Sequence, residues 1–260
     1  MIPPMWNDVV ELNDFYQSPL GERARQMIRL RLRALWPDLR DMSVLGLGYA
    51  SPYLRQFAGE AQRIVAAMPG QQGIIPWPED GHNRAVLVDE TALPLPDSSV
   101  DRALIVHGVE CAEHLRDMLR EIWRVLAPSG RAAFVVPNRT SLWAQIDRTP
   151  FGQGHPFTQA QIQRLLRGSM FTPVGAMRAL YMPPMKLRPM IRTAGAWERA
   201  GQRLFPRVGG VMIIEAAKQL YGGQAVPVKR TRPVVVALPQ PVRPAHAGRH
   251  LKLASENEDD

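Results

Sequence analysis

The residues of this chain that could do chemistry fall in four short strings. Asp89, Glu90 and Thr91 follow the apolar run Ala85 to Val88, so a strand there would deliver two acids and a hydroxyl to one edge of a sheet. An Asp in that place can hold a polar ligand group or simply cap a turn. His107 ends the next apolar run, Ala103 to Val106, with Glu110 three residues on. An imidazole beside a carboxylate can take a proton from a reacting group, and it can equally be a structural histidine bonded to backbone. Val44-Leu45-Gly46-Leu47-Gly48-Tyr49-Ala50 is an apolar run broken by glycines, which suits a tight strand-to-helix turn that a ligand can approach closely. Asn138 and Arg139 follow the run Arg131 to Val136, and Arg148 and His155 flank the glycine- and proline-rich loop Arg148-Thr149-Pro150-Phe151-Gly152-Gln153-Gly154-His155. Loops of that composition close over substrates, and they also serve as plain turn-rich connections.

A single cysteine, Cys111, excludes an internal disulfide and a Cys-based metal site, and no metal is expected. Beside a predicted helix start it reads as a small packed residue rather than a nucleophile.

The elements that must position these groups alternate strand and helix. Residues 21–36 place Ala24, Met27, Ile28, Leu32 and Leu35 on one helical face, entered through Ser18 and Pro19. Short apolar strands are expected at 43–47 and 64–68, with a helix near 52–59 between them. Residues 69–84 hold too many breakers for a regular element. The runs 85–88 and 103–106 have the unbroken apolar character of central parallel strands buried on both faces. A helix over 113–126 buries Leu115, Met118, Leu119, Ile122 and Leu126, and a strand follows at 131–136. Thr158 and Gln161 make a capping box for a helix to about 167. Runs at 174–181 and 210–217 read as an antiparallel pair. The insertion between them, 183–207, carries a basic helix near 193–204.

The order Asp89, Leu93-Pro94, Ser99-Val100-Asp101 and Arg124-Val125-Leu126-Ala127-Pro128-Ser129-Gly130 resembles the second half of class I S-adenosylmethionine-dependent methyltransferases of the "type 11" branch. The resemblance implies an α/β fold: a Rossmann-like, mostly parallel sheet with a terminal antiparallel strand. It implies S-adenosyl-L-methionine as cofactor, held by Gly46, Gly48, Tyr49, Asp89, Glu90 and Thr91, with Asp89 accepting from the adenine amine. His107 would stand where methyl donor and acceptor meet, as a base for acceptors that must lose a proton, with Asn138, Arg139, Arg148 and His155 on the same rim. The chain departs from the family in the first half. Gly46, Ala50 and Pro52 stand where an acid and later glycines are usual, and 64–68 ends in Met68-Pro69 with no acid for the ribose hydroxyls. Losing that contact weakens affinity by roughly ten- to a hundredfold.

The chain is therefore expected to be one methyltransferase-like domain over 21–220, after an N-terminal extension (1–20) and before a disordered basic, proline-rich tail (221–260) with a brief strand at 233–238. The expected activity is methyl transfer to an unidentified, small-molecule acceptor; the alternatives are an inactive scaffold that binds a protein partner and, behind both, an RNA-binding protein. The net charge of +8 is concentrated in residues 178–207, where seven basic residues face one acid. With no nucleic-acid motif and few aromatics to stack bases, nucleic acid is the weaker reading. No run is long enough to span a bilayer and the start lacks a signal-peptide pattern, so a cytoplasmic protein is expected.

Overall fold

The computed structural model describes residues 6–185 and 188–220, the side chains of 188 and 189 excepted, so the expected tail and its strand at 233–238 lie outside the described residues. Helix α1 spans Val9–Gln17 and α2 Pro19–Leu35. Ser18 caps α2 by accepting from the Gly21 N–H, with Pro19 in the first turn where its missing donor costs nothing. Strand β1 (Ser43–Gly48) turns into the short α3 (Ser51–Leu54), which one 3-10 turn extends to Phe57, and β2 (Arg63–Pro69) and β3 (Ala85–Val88) follow. Next come β4 (Val100–Val106), α4 (Leu115–Val125), β5 (Leu126–Pro137), α5 (Gln159–Gly168), β6 (Phe171–Ala179), α6 (Arg188–Arg192), α7 (Ala194–Leu204) and β7 (Val211–Lys218). The capping box at Thr158 and Gln161 is present with both of its hydrogen bonds.

Among the described residues seven strands form one sheet in the order β3-β2-β1-β4-β5-β7-β6, in which β7 alone runs against its neighbours. From β1 the chain steps outward to β2 and β3, then returns to the other flank of β1 for β4 and β5. The strand order thus reverses between β1 and β4, and ligands bind at the carboxyl ends of strands at such a reversal. Alternation along the strands splits the core. Val44, Leu104 and Val106 face α1, α2 and α3, whereas Leu45, Leu47, Ala103 and Ile105 face the layer of α4 and α5.

Two expectations change. Strand β3 is the sheet edge rather than a central strand, and Val86 and Leu87 are exposed. Its apolar run mimics a doubly covered strand, but the irregular 70–84 segment stands where a covering helix would be. Residues 9–17, placed by sequence in an extension, form a helix whose Leu12 and Tyr16 lie in the core beside β1 and β4.

The Arg-Val-Leu-x-Pro-x-Gly string has a local physical explanation. The Arg124 guanidinium donates to the Leu93 and Leu95 carbonyls and to the carboxylates of Asp97 and Glu121. Glu121 in turn accepts from the Leu93 N–H at 2.9 Å, and the Arg124 carbonyl accepts from the Ser98 N–H. One planar fork therefore ties α4 to the loop between β3 and β4. Arg124→Ala should lower stability by about 2 kcal/mol in urea unfolding, several charge-assisted bonds being lost at a partly exposed site. Arg124→Lys should recover less than half, because an ammonium cannot reach both carbonyls and both carboxylates.

Candidate functional site

At the strand reversal Gly48 has φ +76°, and a Cβ built on it would lie 2.3 Å from the Val106 carbonyl oxygen. Only glycine allows both, and the Tyr49 N–H then donates to that same oxygen at 2.8 Å. Gly46 matters for packing instead. A Cβ added there would meet Leu54 and Ala50 side chains at 2.6 and 2.8 Å, so its smallness lets α3 pack on β1. Pro52 sits in the first turn of α3, as expected.

Tyr49 turns inward. Its ring stacks on Tyr16 with centroids 5.6 Å apart, and its hydroxyl donates to Asn13 Oδ1. Tyr16 belongs to a buried chain of polar groups. The Tyr53 hydroxyl donates to the Tyr16 oxygen at 2.9 Å, and Tyr16 lies 2.8 Å from His107 Nε2. Since Tyr16 accepts from Tyr53, its own proton points to Nε2, which leaves the proton of a neutral imidazole on Nδ1. Burial, reinforced by Tyr53, holds the Tyr16 hydroxyl well above its ordinary pKa, so it stays a donor. His107 Nδ1 stands 3.3 Å from Glu110 Oε1, an ion-pair distance without hydrogen-bond alignment. His107 is fully buried and, although not glycine, has φ +49°.

Three residues here carry buried polar atoms with no hydrogen-bond partner: His107 Nδ1, both carboxylate oxygens of Glu110, and Gln72 Oε1. Gln72 belongs to the group because its side-chain amide donates to the His107 carbonyl at 3.4 Å and its backbone carbonyl accepts from the Val9 N–H at the start of α1. Buried polar atoms are nearly always satisfied by protein or ordered water, and since acceptors predominate in this cluster a cationic or donor-rich group would find partners there. The cover over it is α1 and the loop 147–155. Phe151 packs against the His107 ring at 4.9 Å and against Phe15 at 6.0 Å, and the His155 N–H donates to the Glu110 carbonyl.

Two clefts flank this closed centre. The first, about 560 Å3, is lined by Gly70, Gln71, Asp89, Glu90, Thr91 and His114 among others, at the carboxyl ends of β2 and β3. Asp89 is exposed; its Oδ1 accepts from the Thr91 hydroxyl and then from the Thr91 N–H, bonds that lower its pKa, and Oδ2 remains available. Glu90 is buried, which raises its pKa, with the charges of Asp89 and Glu113 adding to the effect. Where a ribose acid would stand, β2 ends in Pro69 and the exposed amide of Gln71 faces the cleft. The second cleft, about 460 Å3, lies between α1, α2, α3 and residues 75–79, with Arg25, Arg29 and Arg55 against Glu79. Sequence alone did not single out Tyr16, Gln71, Gln72 or these arginines; the readable signal was Gln71-Gln72 directly after a strand.

Other expected residues go elsewhere. Asn138 is buried, and its amide donates to the Arg207 and Gly209 carbonyls, so it ties β5 to the start of β7 and faces no cleft. The residue after a strand turns either way, which no local pattern records. Arg139 and His155 are exposed, and Arg148 lines a separate shallow cleft beside Asn7 and Glu11, so these three do not converge with Asp89 or His107 on one rim. Met68 is a core side chain, Cys111 is buried with its pKa raised by desolvation, and Asp101 accepts from the Ser43 N–H between β4 and β1. Among the described residues no helix is long and apolar enough to cross a membrane.

Comparison with known proteins bears on the fold. Residues 45–134 match a family model described as a methyltransferase domain. No curated protein matches the chain. Among solved structures, an S-adenosylmethionine-dependent methyltransferase of Thermotoga maritima is 14% identical with a TM-score of 0.57, over 81% of this chain and 96% of that one. One of Archaeoglobus fulgidus is 20% identical with a TM-score of 0.53, over 75% and 94%. A complex between a methyltransferase and the Haloferax volcanii Trm112 methyltransferase activator gives 16% and 0.59, over 78% and 92%. At these identities the likeness is one of fold.

The raised pKa of Glu90 has a definite sign. Its folded form binds a proton more tightly than its unfolded form, so the stability it contributes is present at low pH and is lost as pH rises above the ordinary carboxylate value of about 4.3. In thermal unfolding across that range, Glu90→Gln should match the parent at the acid end and become the more stable protein toward neutrality.

Proposed function

We propose, for a chain whose residues 45–134 are a methyltransferase domain, that methyl transfer takes place at the closed centre between Gly48 and His107. The domain and the fold make S-adenosylmethionine the cofactor. The observation that carries the proposal is the unsatisfied cluster of Glu110, Gln72 and His107 at the strand reversal. Its acceptors suit the cationic end of such a cofactor, and the cleft of Asp89, Glu90 and Gln71 suits the nucleoside end.

In this assignment Asp89 Oδ2 accepts from the adenine amine, Gln71 takes the ribose hydroxyls as a neutral amide, and the Gly48 turn lets backbone approach the methionine part. Bound there, the cofactor supplies an electrophilic methyl group on a sulfonium. The protein contributes orientation and exclusion of water. Phe151 and the α1 cover dry the centre, and an acceptor that must lose a proton gives it to the Tyr16 oxygen as the Tyr16 proton passes to His107 Nε2, the ring nitrogen that carries the lone pair. Glu110 stabilises the imidazolium so formed. The enclosure fits a small-molecule acceptor that enters when the loop 147–155 lifts, with Arg148 and His155 moving as part of that loop. Asn138 and Arg139 stay outside the centre. In this reading the protein works in the cytoplasm, where the lone thiol of Cys111 stays reduced.

The missing ribose acid and the closed neck at Gln72 favour a second reading, a methyltransferase fold kept as a scaffold. Isothermal titration separates the two. S-adenosylmethionine and S-adenosylhomocysteine should both bind, and Asp89→Ala and Glu110→Gln should each weaken S-adenosylmethionine about tenfold or more, as loss of a charge-assisted bond does. Absence of heat at millimolar ligand sinks the enzyme reading and leaves the scaffold.

A further inference from the structure

We infer that the surface formed by α7 and the turn after it docks on an anionic lipid bilayer. Trp197, Ala200, Gly201 and Leu204, at positions i, i+3, i+4 and i+7 of α7, line one wall of an apolar groove of about 360 Å3. The opposite wall comes from Leu142, Trp143 and the residues that follow β6. At its mouth Leu204 is 66% and Phe205 62% exposed, with Trp197, Val208 and Leu142 also in the open. Apolar side chains gathered at one surface site mark a face that is covered in use.

The charge around the groove says what covers it. Arg203 lies toward the flank of that stripe, Arg199 farther round α7 on the side away from the groove, and Arg207 in the turn beside Phe205; all three are exposed, and none has an ion-pair partner among the described residues. The one acid of residues 178–207, Glu198, is turned inward and accepts from the Tyr181 N–H. It therefore does nothing to offset the cations outside. An RNA would meet the arginines and leave Leu204 and Phe205 in water. A bilayer covers both: Trp, Phe and Leu enter the boundary between headgroups and acyl chains while the guanidinium groups stay with anionic headgroups. The groove also reaches inward. Trp143 closes its inner end and meets Phe151 edge-on at 5.5 Å, the ring that packs on His107. A docked bilayer would lie two aromatic rings away from the centre assigned above, although docking stands whether or not that centre is catalytic.

The test is sedimentation of the full chain with vesicles of phosphatidylcholine, with and without phosphatidylglycerol. Binding should require phosphatidylglycerol and weaken as salt is added. Leu204→Glu with Phe205→Glu should reduce it at least tenfold, and Arg199→Ala with Arg203→Ala by about fivefold per charge removed. Both pairs are exposed, and an unchanged thermal midpoint certifies the fold. No pelleting with phosphatidylglycerol vesicles overturns the proposal. So does pelleting that survives the paired Glu substitutions, since charge elsewhere in the chain would then be responsible, and so does pelleting indifferent to phosphatidylglycerol.

Discussion

The contact between Gly48 and the Val106 carbonyl is the constraint on which the rest of the site depends. At 2.3 Å from an added Cβ it leaves no room for a side chain, and φ of +76° would cost an L-residue about 1–2 kcal/mol besides. In return, β1 and β4 end at the same level, the Tyr49 N–H is satisfied by the Val106 oxygen, and the chain leaves β4 through a left-handed His107. That conformation sets the imidazole between Tyr16 and Glu110. The geometry of the centre is thus a consequence of how two strand ends meet, and the side chains inherit it.

The legible parts of this fold were those written in local side-chain chemistry. Arg124 and the Leu93 to Asp97 loop sit about thirty residues apart, yet one guanidinium needs both, so the two strings travel together and a reader who knows one looks for the other. Capping at Ser18 and Thr158 was readable for the same reason: the residue and the backbone group it serves are three positions apart. The edge position of β3 was not readable, since Ala85 to Val88 has the same apolar character whether or not a helix covers it. Nor was the role of α1. Its Tyr16 reaches a histidine ninety-one residues away, and its first N–H is held by Gln72, so neither partner is visible in a helical pattern that shows only Val9, Leu12 and Tyr16 on one face. Asn138 was misplaced because the residue after a strand can turn toward the ligand edge or back against the sheet, and here the Gly209 carbonyl before a distant strand holds it.

Such a centre is expensive to keep. A left-handed non-glycine residue, an imidazole nitrogen without an aligned partner and two orphaned carboxylate oxygens each cost folding free energy, and they persist because the packing around them leaves no alternative. That packing is aromatic: Tyr49 and Tyr53 meet Tyr16, and the His107 ring joins Tyr16 to Phe151 and so to Trp143, with nearly all of their surface buried. Aromatic side chains suit such a frame, since they bury large areas while a tyrosine hydroxyl still completes the polar chain.

The same arrangement bears on how the proposed cofactor site differs from the pattern that the first half of the sequence resembles. A ribose acid acts through one exposed bidentate contact, and its loss weakens affinity without touching the core. The Gly48 turn, by contrast, is tied to two strands, and replacing it would move His107, Tyr49 and α1 together. Gln72 shows where the remaining freedom lies. Its backbone carbonyl holds the start of α1 and its side-chain amide the His107 backbone, so a ligand reaching from the Asp89 cleft to Glu110 must displace those bonds. In the proposed site it does so only by binding the opened state more tightly than the closed one, and the oxygens of Glu110 and Gln72, which have no protein partner, are the groups it would engage. Closure of the neck at Gln72 and the proposed engagement of a cationic ligand thus rest on one arrangement of buried acceptors.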